Sequence, residues 1–121
     1  MEIRAKAVKD LVLKMKSNYW KRAEQADTIH AEIKCSPYPV LVCGDFNDTP
    51  ASYTYHRVRK DLVDGFHDCG SGYQYTFRQL YKLWRIDYVF YSESLKGCEC
   101  YSPETSYSDH NMVVWTGIAN R

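Results

Sequence analysis

Over the first 35 residues the apolar positions recur at helical spacing. In "EIRAKAVKDLVLKMK" (residues 2–16), Val8, Leu11, Val12 and Met15 share a face that Tyr19 continues. This i, i+3, i+4, i+7, i+11 pattern predicts an amphipathic helix. Ala23, Ala26, Ile29 and Ile33 carry it through residues 20–34, with Ser17-Asn18 as a break or weak point. Pro37 and Pro39 cannot continue a helix, so it ends at "SPYP". Val40–Cys43 shows no polar alternation and predicts a strand covered on both faces, in a central position. After the polar turn of "GDFND", Thr49 as N-cap and Pro50 at N1 predict a helix through about Lys60.

Farther on, the apolar segments shorten. Residues 64–73 read as a loop that includes His67. "YQYTF" (Tyr73–Phe77), "RIDYVFYS" (Arg85–Ser92), "GCECYS" (Gly97–Ser102) and "NMVVWTG" (Asn111–Gly117) read as strands, the third reached through a hairpin near Ser94–Gly97. Helices followed by closely spaced strands predict an α/β chain with a mixed or antiparallel sheet, not a repeated βαβ barrel. A strand, polar loop and helix in succession is also the layout in which ligands sit beyond strand C-termini.

Length and charge narrow this only slightly. A chain of 121 residues is one domain or part of one. The net charge of +1 offers no global argument for a nucleic-acid or membrane partner. The charge is uneven: residues 1–35 hold eight Lys and Arg against five Asp and Glu, and residues 36–121 hold eight against ten. Acidic groups thus gather where the polar loops are, which is compatible with a divalent cation. Five cysteines at irregular spacing do not make a disulfide framework, and Cys98 and Cys100 are too close for an ordinary zinc pair. Free thiols are expected. No run is long enough to span a membrane, and the N-terminus is unlike a secretory signal. Localisation is not legible.

Three polar features interrupt apolar segments. Asp45 and Asn47 flank Phe46, so in extended geometry they point the same way, whereas Asp48 points with Phe46 and is assigned to starting the helix with Thr49 and Pro50. Asp and Asn are also ordinary turn residues before a helix. Asp87 lies inside an apolar strand and needs a partner, because a carboxylate buried alone costs several kcal/mol or becomes neutral. A structural arginine, Arg85 or Arg78, would satisfy it equally well. Asp109 and His110 stand at the entrance to the last apolar strand, where a plain polar flank is the simpler reading. His30 and His56 fall in helices and, with His67, are assigned to surface or packing. Taken together, the three features provide a carboxylate for water, a donor for phosphoryl oxygens, a histidine with a carboxylate beside it, and a metal-binding carboxylate.

In this order "GDFND", "YTF", "RIDYVFYS" and "SDHNMVV" resemble the C-terminal half of the endonuclease/exonuclease/phosphatase superfamily, the DNase I-like fold. The helix "RAEQADTI" is similar to that family's R-x-x-Q-A-x-x-I helix, so the resemblance covers Lys21 to about Trp115. It is similar in particular to bacterial, Bacteroidetes-like members of unassigned substrate. The resemblance implies that Asp45 positions or deprotonates the attacking water and that Asn47 bonds the scissile phosphate or that water. It implies that Asp87 orients His110, that His110 contacts a phosphate oxygen, and that Asp109 sits at a Mg²⁺ or Mn²⁺ site directly or through water. The substrate is then a phosphoester; nuclease, phospholipid phosphodiesterase and sugar phosphatase are not separated.

The family's N-terminal half carries an Asn on its first strand, a metal-binding Glu and a His near "HL", and none of these precedes Lys21. The expectation is a fragment building part of a four-layer αββα sandwich. Residues 1–20 would be a helical lead-in, 21–117 the C-terminal half and 118–121 a tail. Such a piece is expected to be inactive without its missing N-terminal half. A degenerate, non-catalytic interaction module on the same scaffold is the alternative.

Overall fold

The structure, a computed structural model, describes residues 5–6, 9–10, 13, 18–72, 74–77 and 84–119. Ala5, Lys6, Lys9, Asp10 and Leu13 are helical; Val8, Leu11, Val12 and Met15, the expected apolar face, lie outside the described residues. The first full helix, α1 (Tyr19–Cys35), buries Ala26 and His30 and ends where Ser36 turns extended, its N–H donating to the Ile33 carbonyl. Its inner stripe is narrower than expected, since Ile29 is exposed. Ala26, with Ile33 beside it, packs on a core of Tyr55, Val58, Leu62, Tyr88 and Phe90, joined by Val42 and Phe46.

Three antiparallel strands, β1 (Leu41–Asp45), β2 (Val63–Asp64) and β3 (Asp87–Tyr91), form a sheet in the order β1-β3-β2. The centre is therefore β3, whose Tyr88–Tyr91 are all buried, and not β1. Among the described residues β1 is an edge, and Leu41 is 51% exposed. An apolar run such as Val40–Cys43 looks the same whether or not these residues supply its cover, which is why its central placement does not hold. A second antiparallel pair, β4 (Leu95–Tyr101) and β5 (Val114–Ala119), carries a bulge between Gly97 and Glu99. The expected hairpin is absent: the chain turns at Ser92–Leu95, and β4 pairs with β5 instead of β3.

Local polar chemistry moves two other boundaries. Helix α2 (Tyr53–Arg59) starts at Ser52, whose Oγ accepts the Tyr55 N–H at 3.1 Å, while Thr49 merely closes a turn with Ser52. The anticipated loop holds β2 and a short helix, α3 (Gly65–Cys69), capped by Asp64 through the Phe66 N–H at 3.2 Å. Helix α3 lies so close to the sheet that a Cβ on Gly65 would stand 3.0 Å from the Trp115 ring and 3.1 Å from the Val89 carbonyl. Residues 74–77 are not a strand; Phe77 makes single bridges to Trp84 and His110, and Tyr73 is outside the described residues. All five cysteines are free thiols. No helix among the described residues is long and apolar enough to cross a membrane.

A buried ion pair ties the pieces under β3. The Arg85 guanidinium grips Asp64 with two bonds of 3.0 and 2.8 Å, and the Tyr55 hydroxyl donates to the same carboxylate at 2.6 Å. The guanidinium also lies 4.9 Å from the Tyr88 ring centre and 5.4 Å from that of Phe66. Burial would raise the Asp64 carboxyl, but the Arg85 and Tyr55 bonds outweigh it and hold the group below the usual carboxylate range. Burial, with the same hydrogen bond, pushes Tyr55 up to about 12.

Removing one partner strands a buried charge, so Arg85→Met should cost about 3–5 kcal/mol in urea unfolding. With Asp64 depressed, its contribution is present above the unfolded carboxylate value and fades as pH falls through the lower folded value. A loss under about 1 kcal/mol would show the pair to be dispensable.

Candidate active site

The register of β1 against β3 sets Asp45 directly opposite Asp87. Asp45 ends β1 and is exposed; its Oδ1 accepts the Asn47 N–H at 2.9 Å, a side-chain turn that bends the chain out of the strand. Asn47 takes a left-handed φ of 53°, which asparagine tolerates better than most residues. Between them Phe46 faces inward, its ring 5.2 Å from Tyr88 and 5.6 Å from Phe90. Asp48 does not start the helix. It is buried, pairs with Arg22 Nε at 2.8 Å, and its carbonyl accepts the Tyr88 hydroxyl at 2.7 Å. Helix α1 is thereby clamped to the loop that carries Asn47.

The partner of Asp87 is His110, with Nδ1 at 2.8 Å from Oδ2. Arg85 is committed to Asp64, and Arg78 lies outside the described residues. Thr76, fully buried, accepts the backbone N–H groups of Ile86 and Asp87 at 2.9 and 3.1 Å, and its side chain hydrogen-bonds the Asp87 carboxylate. The His110 loop is pinned from several sides. Ser108 Oγ accepts the His110 N–H at 3.1 Å, Thr105 Oγ donates to the His110 carbonyl at 3.0 Å, and the Asn111 N–H reaches the Thr76 carbonyl at 2.6 Å. These bonds leave Nε2 of His110 pointing 3.6 Å from Asp45 Oδ2.

Burial raises the Asp87 carboxyl above its ordinary value; the His110 and Thr76 bonds oppose this, while the Asp45 charge adds to it. Burial alone would lower His110, but the bond to Asp87, then the charges of Asp87, Asp45 and Asp109, outweigh it and raise the imidazole. Both groups thus stand above their ordinary values, Asp87 through burial and His110 through the carboxylates around it. The arrangement therefore favours a cationic N–H on Nε2 beside a carboxylate, which suits it to meeting an oxyanion.

Asp45, Asp87 and His110 each offer a ligand atom, all within 4.8 Å of one another. As a cradle for Mg²⁺ or Mn²⁺ they fit only in part. Asp87 and Nδ1 of His110 are spent on each other, and a hard cation prefers oxygen. That leaves the Asp45 carboxylate and, on the cleft rim with Asn47 and His110, the exposed Asp109, which lies outside this compact group. The cleft brings Asn47, Asp109 and His110 together, and Asp45 and Asp87 complete the set through His110. His30 is buried, His56 and His67 are exposed, and none of the three lines this cleft.

The Endonuclease/Exonuclease/phosphatase family profile matches residues 15–110. The chain belongs to this family. Among curated proteins none matches the chain. Among solved structures, the endonuclease/exonuclease/phosphatase from Bacteroides vulgatus is similar at 25% identity and a TM-score of 0.72, covering 84% of this chain and 45% of that one. A functionally unknown conserved protein from Enterococcus faecalis aligns at 22% identity, a TM-score of 0.71, and 81% and 44% coverage. A mannosyl-6-phosphatase from Bacteroides thetaiotaomicron aligns at 21% identity, a TM-score of 0.66, and 80% and 45% coverage. The chain thus spans less than half the length of these relatives, and its helices and antiparallel strands are a partial DNase I-like fold.

Two site contributors escaped the sequence. Thr76 sits in the quoted "YTF", yet a Thr between aromatic residues looks like any strand residue until its hydroxyl is seen taking two N–H groups. The Arg22–Asp48 clamp joins residues 26 apart, with no local pattern to betray it. Because Asp87 is the largest of the influences that raise His110, Asp87→Asn should bring the His110 imidazole back toward its ordinary value in a proton NMR titration. In the wild type the pair's contribution to stability should be present at low pH and fade as pH rises through the raised folded value. An Asp87→Asn imidazole that still titrates at its wild-type position would contradict this assignment.

Proposed function

We propose that the chain is the C-terminal part of a Mg²⁺- or Mn²⁺-dependent phosphoester hydrolase. Residues 21–117 make up this half-domain behind a helical lead-in of residues 1–20, with 118–121 as a tail. The observation that carries the reading is the Asp87–His110 hydrogen bond at 2.8 Å, aimed so that His110 Nε2 lies beside Asp45 in a cleft shared with Asn47.

In this reading Asp45 orients the attacking water and takes its proton. Asn47, held by its left-handed turn, donates its side-chain amide to the phosphoryl group or that water. Asp87 keeps the imidazole in one orientation and favours its charged form, the usual role of a carboxylate behind a catalytic histidine. His110 then offers its Nε2 proton to a phosphoryl oxygen as negative charge builds there. A cation held partly by Asp109, with Asp45 alongside, would polarise the phosphoryl group when bound. The family acts on phosphoester substrates and is generally dependent on divalent metal. Asp45 and Asp109 would give a Mg²⁺ ion two carboxylates, beside which it takes water and substrate oxygens, and any further protein ligand is assigned to the N-terminal half of the same domain, the partner this half requires.

His110→Ala in a domain joining this chain to its N-terminal half should lower kcat against a generic phosphodiester or phosphomonoester by roughly 10²–10³-fold, with the fold intact by circular dichroism. The chain alone should show no measurable turnover with Mg²⁺. Near-wild-type turnover of the variant would refute the catalytic role and favour a binding module on the same scaffold.

A further inference from the structure

The cleft over His110 and Asn47 opens into a cavity of about 410 Å³, the size of a small-ligand site. One wall is the face of α1 carrying Lys21 and Gln25; Phe77 and Trp84 line the same space. Resting on the phosphoester reading above, we infer that the Lys21–Gln25 face recognises the leaving group. The alcohol it selects is compact and polyhydroxylated, so the substrate class is a sugar phosphate.

Lys21 and Gln25 stand four residues apart on a helix, so both side chains share one face, and both are exposed to the cavity. The neighbouring Arg22 is turned onto Asp48 and serves the loop, whereas no ion pair joins Lys21 to another described residue. The two adjacent cations therefore have different work. An ammonium brings three donors, and a carboxamide brings donors and an acceptor. A set of hydroxyls, each both donor and acceptor, answers that mixture. Phe77 and Trp84 add aromatic surface for the C–H face that a sugar ring presents beside its hydroxyls. Duplex nucleic acid would ask for something else. Its binding rests on several Lys and Arg contacts to phosphates, and among the described residues of this cavity Arg22 is spent on Asp48, which leaves Lys21, in a chain whose net charge is only +1.

The test is an amide NMR titration of the 121-residue chain at fixed Mg²⁺, with glucose 6-phosphate, inorganic phosphate, glucose and a short DNA duplex in separate arms. Glucose 6-phosphate should bind about tenfold more tightly than inorganic phosphate, a difference of about 1.4 kcal/mol, and should shift Lys21 and Gln25. Lys21→Ala and Gln25→Ala, both at exposed positions, should each narrow that difference, and the double variant should abolish it. Equal affinities in the wild type, a preference that survives the double variant, or tighter binding of the duplex at the same resonances would each overturn the inference. Inorganic phosphate also separates the two levels. If it shifts Asn47 and the effect is lost in His110→Ala, the phosphoester reading stands whatever the hexose arm shows. If phosphate shifts nothing in the cleft, that reading fails and the leaving-group assignment fails with it.

Discussion

Two carboxylates directly opposite on neighbouring antiparallel strands repel each other, yet the β1–β3 register places Asp45 against Asp87. Much of the site follows from how this chain accommodates them. Asp87, on the central strand, is lodged under Thr76 and given the Nδ1 proton of His110. Asp45, at the strand's end, stays exposed and turns one oxygen onto the Asn47 N–H. The imidazole between them is raised because it faces both charges. The repulsion becomes a proton-holding unit at the mouth of a cleft, and the loop at residues 105–111 is built around keeping that imidazole in place.

Beneath the site lies a different kind of ionic contact. Arg85 precedes β3 and Asp64 ends β2, and their fork, covered by Tyr55, Phe66 and Tyr88, joins the short β2–α3 segment to the central strand. Here every charge is matched inside the protein, so the pair serves the fold. The Asp87–His110 pair instead turns Nε2 toward the exposed Asp45 at the cleft, and that distinguishes the two.

Much of the fold was legible where local pattern decides. The apolar run around Asp87 gave β3 within two residues at the start, and the prolines after Cys35 ended α1 where expected. Reading failed where a side chain competes with its neighbours for a cap. Ser52 rather than Thr49 starts α2, and Asp64, which resembled a loop residue, caps α3 while binding Arg85. The placement of β1 failed for another reason: hydrophobicity records that a strand is meant to be covered, not which residues cover it. In the same way Asp45, Asn47, Asp87, Asp109 and His110 stood out as polar residues bordering apolar strands; the fold sets Asn47, Asp109 and His110 on one cleft, with Asp45 and Asp87 on either side of the His110 ring. Thr76 and the Arg22–Asp48 clamp did not stand out, because their roles exist only across long sequence separations.

The central claim is that the Asp87–His110 pair exists for chemistry and not to hold the fold. Urea unfolding of the double variant Asp87→Ala with His110→Ala measures this directly, since removing both partners leaves no charge stranded. At neutral pH the account predicts a stability within about 1 kcal/mol of wild type, because the burial that raises Asp87 works against its ionised form and offsets what the bond to His110 returns. A loss of about 3 kcal/mol or more would make the pair a structural clamp and contradict the account.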